Sequence, residues 1–168
     1  YSVVKGTCAM LIEPYDDSKL DAIVELSLRA WEPVFESLRD AMLPEVYRAF
    51  YRDDWRGAQR TAVESVCADE DVHVWVASEE SRIAGFVALK LHPEDRMGEI
   101  YMIAVDPDFQ RRGIARSLTS HSVEWFKNAG MSIAMVETGG DPGHAPARRA
   151  YESSGFRLLP VARYFKAL

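Results

Sequence analysis

The chain has few cysteines and no long apolar run, and each of these features argues against particular classes of protein. Cys8 and Cys67 are the only two cysteines, and they lack the spacing of a zinc site. We expect both to be small core hydrophobes rather than a disulfide. No stretch approaches the roughly 18 apolar residues of a membrane helix, and the start lacks the pattern of a signal peptide. We therefore expect a cytoplasmic protein with no membrane partner.

The chain also has fewer basic than acidic residues. Twenty Lys and Arg residues against 26 Asp and Glu residues give a net charge of −6, which disfavours a nucleic-acid partner. The same excess of negative charge favours a cationic second substrate. The 48% hydrophobic content and the length of 168 residues fit one folded domain. We expect it to span residues 9–168, with residues 1–8 as an N-terminal extension or an expression remnant.

What the chain does contain is a glycine-bearing turn between a strand-like and a helix-like run, at residues 105–115 (VDPDFQRRGIA). Residues 98–105 are rich in β-branched and aromatic side chains, and residues 114–129 carry a helical apolar stripe. A helix start leaves N–H groups unpaired and partly positive, so it stabilises phosphate oxygens, and Gly113 lets the backbone come close. The turn therefore predicts a diphosphate site, with countercharge from Arg111, Arg112 and Arg116.

Two motifs carry a family resemblance. Residues 110–115 (QRRGIA) resemble the Q/R-x-x-G-x-G/A acetyl-coenzyme A signature of the GNAT superfamily of N-acetyltransferases. Downstream, residues 144–147 (HAPA) followed by 151–156 (YESSGF) are similar to that superfamily's N-x-x-A and Y-x-x-x-G-F segments, with the same spacing. The resemblance covers Met10 to the C-terminus. It implies that acetyl-coenzyme A is the co-substrate, that no metal is needed, and that an amine attacks the thioester directly.

The resemblance also implies where coenzyme A lies. Strands 98–105 and 132–137 would separate to admit the pantetheine arm, with backbone N–H groups facing the thioester carbonyl. The implied contact residues are Ile103, Ala104 and Val105 of the strand, Gln110, Arg111, Arg112, Gly113, Ile114, Ala115 and Arg116 of the turn and helix start, and His144 and Ala147 of the second motif. His144 stands where the family usually has asparagine. It is either a hydrogen-bonding replacement or a solvent-exposed loop histidine.

Two residues are the candidates for catalysis. Tyr151 matches the family's frequent general acid, although a phenol of pKa about 10 does not readily protonate a thiolate of pKa about 8.5. Its alternative role is to anchor the last helix. Glu99, at a strand start, is the candidate base for the ammonium group, with Glu137 as its competitor and a plain surface carboxylate as the alternative. Tyr101 shares the face of Glu99 by alternation.

The resemblance implies that acceptor specificity comes mainly from the helices after the first strand and from the region of the sixth and seventh strands. Aromatic side chains beside Asp53 and Asp54 would suit a cationic amine, although amphipathic helices bury such side chains by default. The aromatic residues are Trp31, Phe35, Tyr47, Phe50, Tyr51 and Trp55. The identity of the amine and the formation of a homodimer both stay open.

The pattern predicts an α/β fold with a mixed central sheet flanked by helices. The expected strands are 9–13, 72–77, 83–91, 98–105, 132–137 and one or more in 156–168, and the expected helices are 18–31, 45–55, 57–67, 114–129 and 147–154. Pro33 should interrupt the first helix. A non-catalytic acyl-coenzyme A sensor on the same fold is the main alternative. A nucleotide-binding protein is disfavoured because the chain lacks both the triphosphatase loop and the three-glycine fingerprint.

Overall fold

The structure, a computed structural model, describes residues 10–52, 54–79 and 81–168. Residues 1–9, with Cys8 and the start of the predicted first strand, lie outside the described residues, as do Asp53 and Glu80. Five strands form one sheet in the order of the chain: β1 (Leu11–Pro14), β2 (His73–Glu79), β3 (Arg82–His92), β4 (Met97–Val105) and β5 (Ile133–Val136). Neighbours are antiparallel from β1 to β4, whereas β4 and β5 are parallel. The predicted mixed sheet is confirmed.

Five α-helices cover the two faces of the sheet: α1 (Leu20–Ala41), α2 (Pro44–Tyr51), α3 (Trp55–Ala68), α4 (Ile114–Asn128) and α5 (Ala145–Ser153). One apolar layer packs α1 and α3 on the sheet and includes Val24 and Phe86. The other packs α4 on the opposite face and includes Val87 and Leu118. Phe86 and Val87 are consecutive in β3 and point to opposite layers, as strand geometry requires. Within the described residues, no helix is both long and apolar enough to cross a membrane.

The predicted break at Pro33 is wrong. Helix α1 continues through it to Ala41. Proline removes the N–H that would bond to the carbonyl of Arg29, but Pro33 and Arg29 are both exposed, so that carbonyl can be hydrated. The uninterrupted helix places its second half, with Ser37, beside a loop that follows β5.

The boundary between α2 and α3 also differs from the prediction. Helix α2 ends at Tyr51 rather than Trp55, and Arg52 adopts a positive φ of 50°. Helix α3 begins at Trp55 because the Asp54 carboxylate accepts the backbone N–H of Gly57 at 2.9 Å. Asp54 is therefore a helix cap, and the carboxylate predicted to bind a substrate is engaged by the backbone.

The predicted final strand does not form in residues 156–168. These residues have no strand pairing, and Leu159, Val161 and Tyr164 are 77%, 77% and 90% exposed. Pro160 interrupts the segment and has no N–H to donate to a neighbouring strand. Contacts of the segment with the domain include Phe156, which packs against the core layer of α4, and two more distal ones. Arg163 lies 3.5 Å from Glu137, and the Phe165 ring centroid lies 5.8 Å from that of Phe50.

A close approach between β4 and α4 gives the first prediction. A Cβ at Gly98 would overlap the buried ring of Phe126. We expect Gly98→Ala to lower the free energy of unfolding by about 1–3 kcal/mol, because the ring has no space to move into. Urea denaturation measures it. The matched control is Gly140→Ala, where an added Cβ meets nothing within 4 Å. Equal stability of the two variants would show that the ring is not tightly held.

Candidate active site

Pairing between the two strands expected to separate ends early. Parallel pairing of β4 with β5 begins at Met97 and Ile133 and ends at Ile100 and Val136, where β5 itself ends. β4 continues to Val105, still paired with β3. Among the described residues, the edge of β4 after Ile100 thus has no strand partner on the β5 side. This unpaired edge, the gap between β4 and β5, presents backbone N–H and C=O groups that a bound chain could pair with. The predicted contact residues Ile103, Ala104 and Val105 all lie on this part of β4.

The turn after β4 leads directly into α4, as predicted. Gly113 is the residue before the helix, with a φ of 85°, and it gives no side-chain cap. The first N–H groups of α4 therefore have no intrahelical partner. A Cβ at Gly113 would meet nothing within 4 Å, so the space beside the helix start at this residue is open. An uncapped, open helix start of this kind fits the diphosphate of coenzyme A.

The arginines of the turn differ in how free they are. Arg111 and Arg116 are exposed, and Arg111 has a positive φ of 63°. Arg112 lies 3.2 Å from the carboxylate of Glu79 and packs over the Phe109 ring. Arg112 therefore helps to fix the turn as well as adding charge, whereas Arg111 and Arg116 form no ion pair with any residue that the structure describes.

An ion pair that the sequence did not reveal fixes the start of this turn. Asp106 is 4% exposed and accepts hydrogen bonds from Arg29 at 3.1 Å and from the backbone N–H of Asp108 at 2.9 Å. Arg29 also lies 3.1 Å from Asp108, and its hydrogen bond, helped by Arg82, lowers the pKa of Asp108. The Asp-Pro-Asp sequence is a signal for the local cap. Nothing local indicated Arg29, which lies 77 positions away.

Glu99 is not an isolated surface carboxylate. His92, the last residue of β3, places its Nε2 2.7 Å from Oε2 of Glu99, and the Glu99 side chain is 17% exposed. Lys90 lies opposite Glu99 in the strand register, and its Nζ is 3.5 Å from the ring centroid of Tyr101. Glu99 and Tyr101 therefore flank the same lysine, as the predicted shared face requires. His92 lies just outside the predicted strand 83–91, so its role was missed.

Glu137, the competing base, has a different environment. It follows the end of β5, its side chain is 76% exposed, and its nearest cation is Arg163 at 3.5 Å. Glu99 is therefore the more enclosed of the two candidate carboxylates.

Tyr151 lies in α5 and is 8% exposed, with its ring 6.1 Å from that of Phe156. Burial raises the pKa of Tyr151 to about 12. The phenol therefore stays neutral at every physiological pH, and full proton transfer to a thiolate becomes harder than for an exposed tyrosine. What such a hydroxyl can do readily is donate a hydrogen bond.

The loop between β5 and α5 is tied to α1 through Asp141. Its carboxylate accepts hydrogen bonds from Ser37 at 2.6 Å and the backbone N–H of Gly143 at 3.0 Å, and it contacts Nδ1 of His144. Burial alone would raise the pKa of Asp141, but the hydrogen bonds from Ser37 and His144 outweigh burial and lower it. Arg148 adds a bond to the Asp141 carbonyl at 2.9 Å.

This loop decides between the two interpretations of His144. Its side chain is only 22% exposed, so it is not a solvent-exposed loop histidine. With Nδ1 donating to Asp141, Nε2 is the atom left to contact a ligand. Ala147 follows on the first turn of α5 and is partly buried. Asp141 and Arg148 were not predicted to hold this loop.

The aromatic residues expected near the acceptor form a cluster between α1, α2 and α3. Phe35 stacks on Trp55 at 4.5 Å between centroids and meets Tyr51 edge-on at 5.1 Å. Phe35 and Tyr47 are buried. The expectation that most of these aromatics are core is confirmed for those two, while Phe50 is 56% exposed.

Comparison with known proteins agrees with this geometry. A profile of the acetyltransferase (GNAT) family matches residues 28–156. These residues include β4, β5, the turn before α4, and α5. The chain belongs to the GNAT acetyltransferase family. The match confirms the resemblance drawn from the two motifs.

Among its relatives, the chain is similar to a mycothiol acetyltransferase of Rhodococcus jostii, at 29% identity over 167 residues. That alignment covers 87% of this chain and 51% of the relative, so the chain spans about half the relative's length. The GNAT domain of this chain therefore aligns with only part of a longer protein.

Solved structures share the fold at low sequence identity. The PaiA N-acetyltransferase of Thermoplasma acidophilum, solved with coenzyme A, has a TM-score of 0.67 and 14% identity, and the match covers 92% of this chain and 93% of that one. The ribosomal-protein-S18-alanine N-acetyltransferase of Escherichia coli has a TM-score of 0.66 and 21% identity, covering 90% and 80%. These likenesses establish the GNAT fold.

The open helix start gives the second prediction. Gly113→Glu should weaken coenzyme A binding by at least about tenfold, because a carboxylate would occupy the space in front of the free N–H groups. Calorimetry measures the affinity. Gly130→Glu is the matched control: Gly130 also has a positive φ, 81°, and open space around it, but it lies at the other end of α4. Equal affinities for the two variants would exclude the turn as the diphosphate site.

Proposed function

We propose that this GNAT domain transfers an acetyl group from acetyl-coenzyme A to an amine. The observation that carries the proposal is the opening between β4 and β5 immediately before the uncapped start of α4. The edge of β4 offers backbone hydrogen-bonding groups to an extended arm, and the start of α4 offers N–H groups to a diphosphate. Coenzyme A has these two parts in the same order.

We assign the residues that hold the co-substrate from this geometry. The N–H groups at the start of α4, with Arg111 and Arg116, would hold the diphosphate. The pantetheine arm would lie along residues 103–105, with Nε2 of His144 and the small side chain of Ala147 on the α5 side. Bound acetyl-coenzyme A supplies the acetyl group as a thioester.

Glu99 is proposed as the base. The amine arrives as an ammonium ion, since an alkyl amine has a pKa near 10, and it must lose a proton before its nitrogen can attack. Glu99 takes that proton directly or through one water, and His92 at 2.7 Å holds the carboxylate in place. The nitrogen–carbon bond then forms, the nitrogen releases its second proton to solvent, the carbon–sulfur bond breaks, and the sulfur leaves as a thiolate.

Tyr151 is proposed to stabilise the leaving sulfur. Its neutral hydroxyl donates a hydrogen bond to the sulfur as negative charge develops there. With a pKa of about 12, it retains its proton, and the thiolate is released to solvent, where it is protonated.

The charge of the acceptor and the oligomeric state of the protein are also proposals. A reacting ammonium group is cationic, and the carboxylate of Glu99 and the net charge of −6 both favour it. A homodimer is supported by the unpaired outer edge of β5 and the exposed apolar side chains of residues 158–168. A cytoplasmic location stays a prediction.

A turnover assay tests the function. Free thiol should appear from acetyl-coenzyme A only when an accepted amine is present, and a screen across amine classes should find one. Binding of coenzyme A with no turnover for any class would instead support a non-catalytic acyl-coenzyme A sensor.

The third prediction concerns Tyr151. Tyr151→Phe should keep coenzyme A affinity, because the ring packing is retained, and should lower kcat by about 10²-fold through loss of the hydrogen bond. The pH–rate profile should keep its shape below about pH 10, because a phenol whose raised pKa is about 12 does not ionise in that range. Unchanged kcat would assign Tyr151 to packing alone.

The fourth prediction separates the two candidate bases. Glu99→Gln should lower kcat near neutral pH by about 10²-fold or more, and the rate should recover as the pH approaches the pKa of the amine. Glu137→Gln, at a well-exposed carboxylate, is the matched control and should leave the profile unchanged. A higher KM with unchanged kcat in Glu99→Gln would mean that Glu99 only attracts the substrate.

A further inference from the structure

A second cleft lies on the helical side of the domain, away from the gap between the strands. It has a volume of about 240 Å³ and is lined by Arg39, Pro44, Tyr47, Arg48 and Trp55. Its walls come from α1, α2 and the first residue of α3.

The charge of this cleft is positive and not neutralised within the part of the chain that the structure describes. Arg39 and Arg48 form no ion pair there, although other arginines nearby do. Arg56 and Arg60 of α3 each contact a glutamate of α1. The helices therefore balance the charge of their other arginines and leave two guanidinium groups at the cleft.

A buried hydroxyl adds a third donor. Tyr47 is 7% exposed, and among the described residues its hydroxyl has no hydrogen-bond partner. The guanidinium carbon of Arg39 lies 5.7 Å from the centre of the same ring. Buried polar groups in folded proteins are usually paired, so an unpaired hydroxyl on a residue that lines the cleft indicates a missing acceptor.

Helix α1 joins the cleft to the loop that carries His144. Arg39 lines the cleft, and Ser37 on the same helix donates a hydrogen bond to Asp141 at 2.6 Å. Asp141 also contacts Nδ1 of His144. An acceptor seated in the cleft would extend along α1 towards this loop.

We propose that this cleft binds an oxyanion, a carboxylate or phosphate group, at the far end of the acceptor. Two guanidinium groups and a hydroxyl match its planar or tetrahedral oxygens. The acceptor is then an amine with an ammonium group at one end and an oxyanion at the other. This inference rests on the proposed acetyl transfer and names the substrate class for it.

The test compares acceptors of equal length that differ only at the far end. One series consists of amino acids of four to six carbons (4-aminobutyrate, 5-aminovalerate, 6-aminohexanoate). The second series is the matching primary amides, and the third carries a phosphate monoester in place of the carboxylate. Thiol release at saturating acetyl-coenzyme A gives kcat/KM. We expect at least one carboxylate or phosphate to exceed its amide by about tenfold or more, as charge-assisted hydrogen bonds allow. The preferred end group distinguishes carboxylate from phosphate.

Variants assign that preference to the cleft. Arg48→Gln, Arg39→Gln and Tyr47→Phe should each reduce the ratio of acid to amide, mainly through KM. Arg56→Gln removes one positive charge from the same helices but not from the cleft lining, and it should keep the ratio. Equal kcat/KM for acid and amide at every length, or a ratio that survives in Arg39→Gln and Arg48→Gln, would overturn the proposal.

A binding measurement separates this proposal from the proposed reaction. Glutarate and inorganic phosphate are titrated against the coenzyme A complex while the indole N–H signal of Trp55 is followed by NMR, with Trp55→Phe to assign it. A saturable shift of that signal, weakened about tenfold in Arg48→Gln, supports the anion cleft even if no amine is acetylated. If neither anion shifts the Trp55 signal, the cleft is not an oxyanion site, whether or not acetyl transfer occurs.

Discussion

The early end of the pairing between β4 and β5 is the constraint on which the candidate site depends. β5 pairs only from Ile133 to Val136, while β4 runs on to Val105. Had β5 continued alongside, its backbone would have filled the hydrogen-bonding edge of β4 and closed the gap. Because the chain instead leaves β5 for a loop held by Asp141, the edge stays open, and the same strand then leads directly into the uncapped start of α4.

Helix α1 supports both sides of this opening. Through Arg29 it holds the buried Asp106 at the start of the diphosphate turn, and through Ser37 it holds Asp141 in the loop before α5. Its apolar face is fixed in the core by residues such as Ile23 and Val24, which have no exposed surface. Breaking one partner of a buried charged hydrogen bond is costly, because the other is left without compensation. Two loops far apart in the sequence are therefore positioned by one rigid element.

The domain has an acidic and a basic site whose separate charges the net charge does not show. Glu99 offers a carboxylate where an ammonium group is expected, and Arg39 and Arg48 line the helical cleft without an ion pair to any described residue. The net charge of −6 pointed only to a cationic substrate. The local arrangement suggests an acceptor with opposite charges at its two ends, in which each end contacts groups of the opposite sign.

The sequence by itself determined the strand, turn and helix around Gly113 and the positions of Tyr151 and Glu99, because alternation, helical periodicity and glycine geometry are local properties of the chain. Tertiary structure decided the rest. Arg29 meets Asp106 across 77 positions, and His92 meets Glu99 only because β3 and β4 pair. Pro33 is tolerated because its face of α1 is solvated, and residues 156–168 form no strand because a strand requires a partner as well as a pattern. Each of these outcomes depends on what lies opposite a residue in space, which no local pattern specifies.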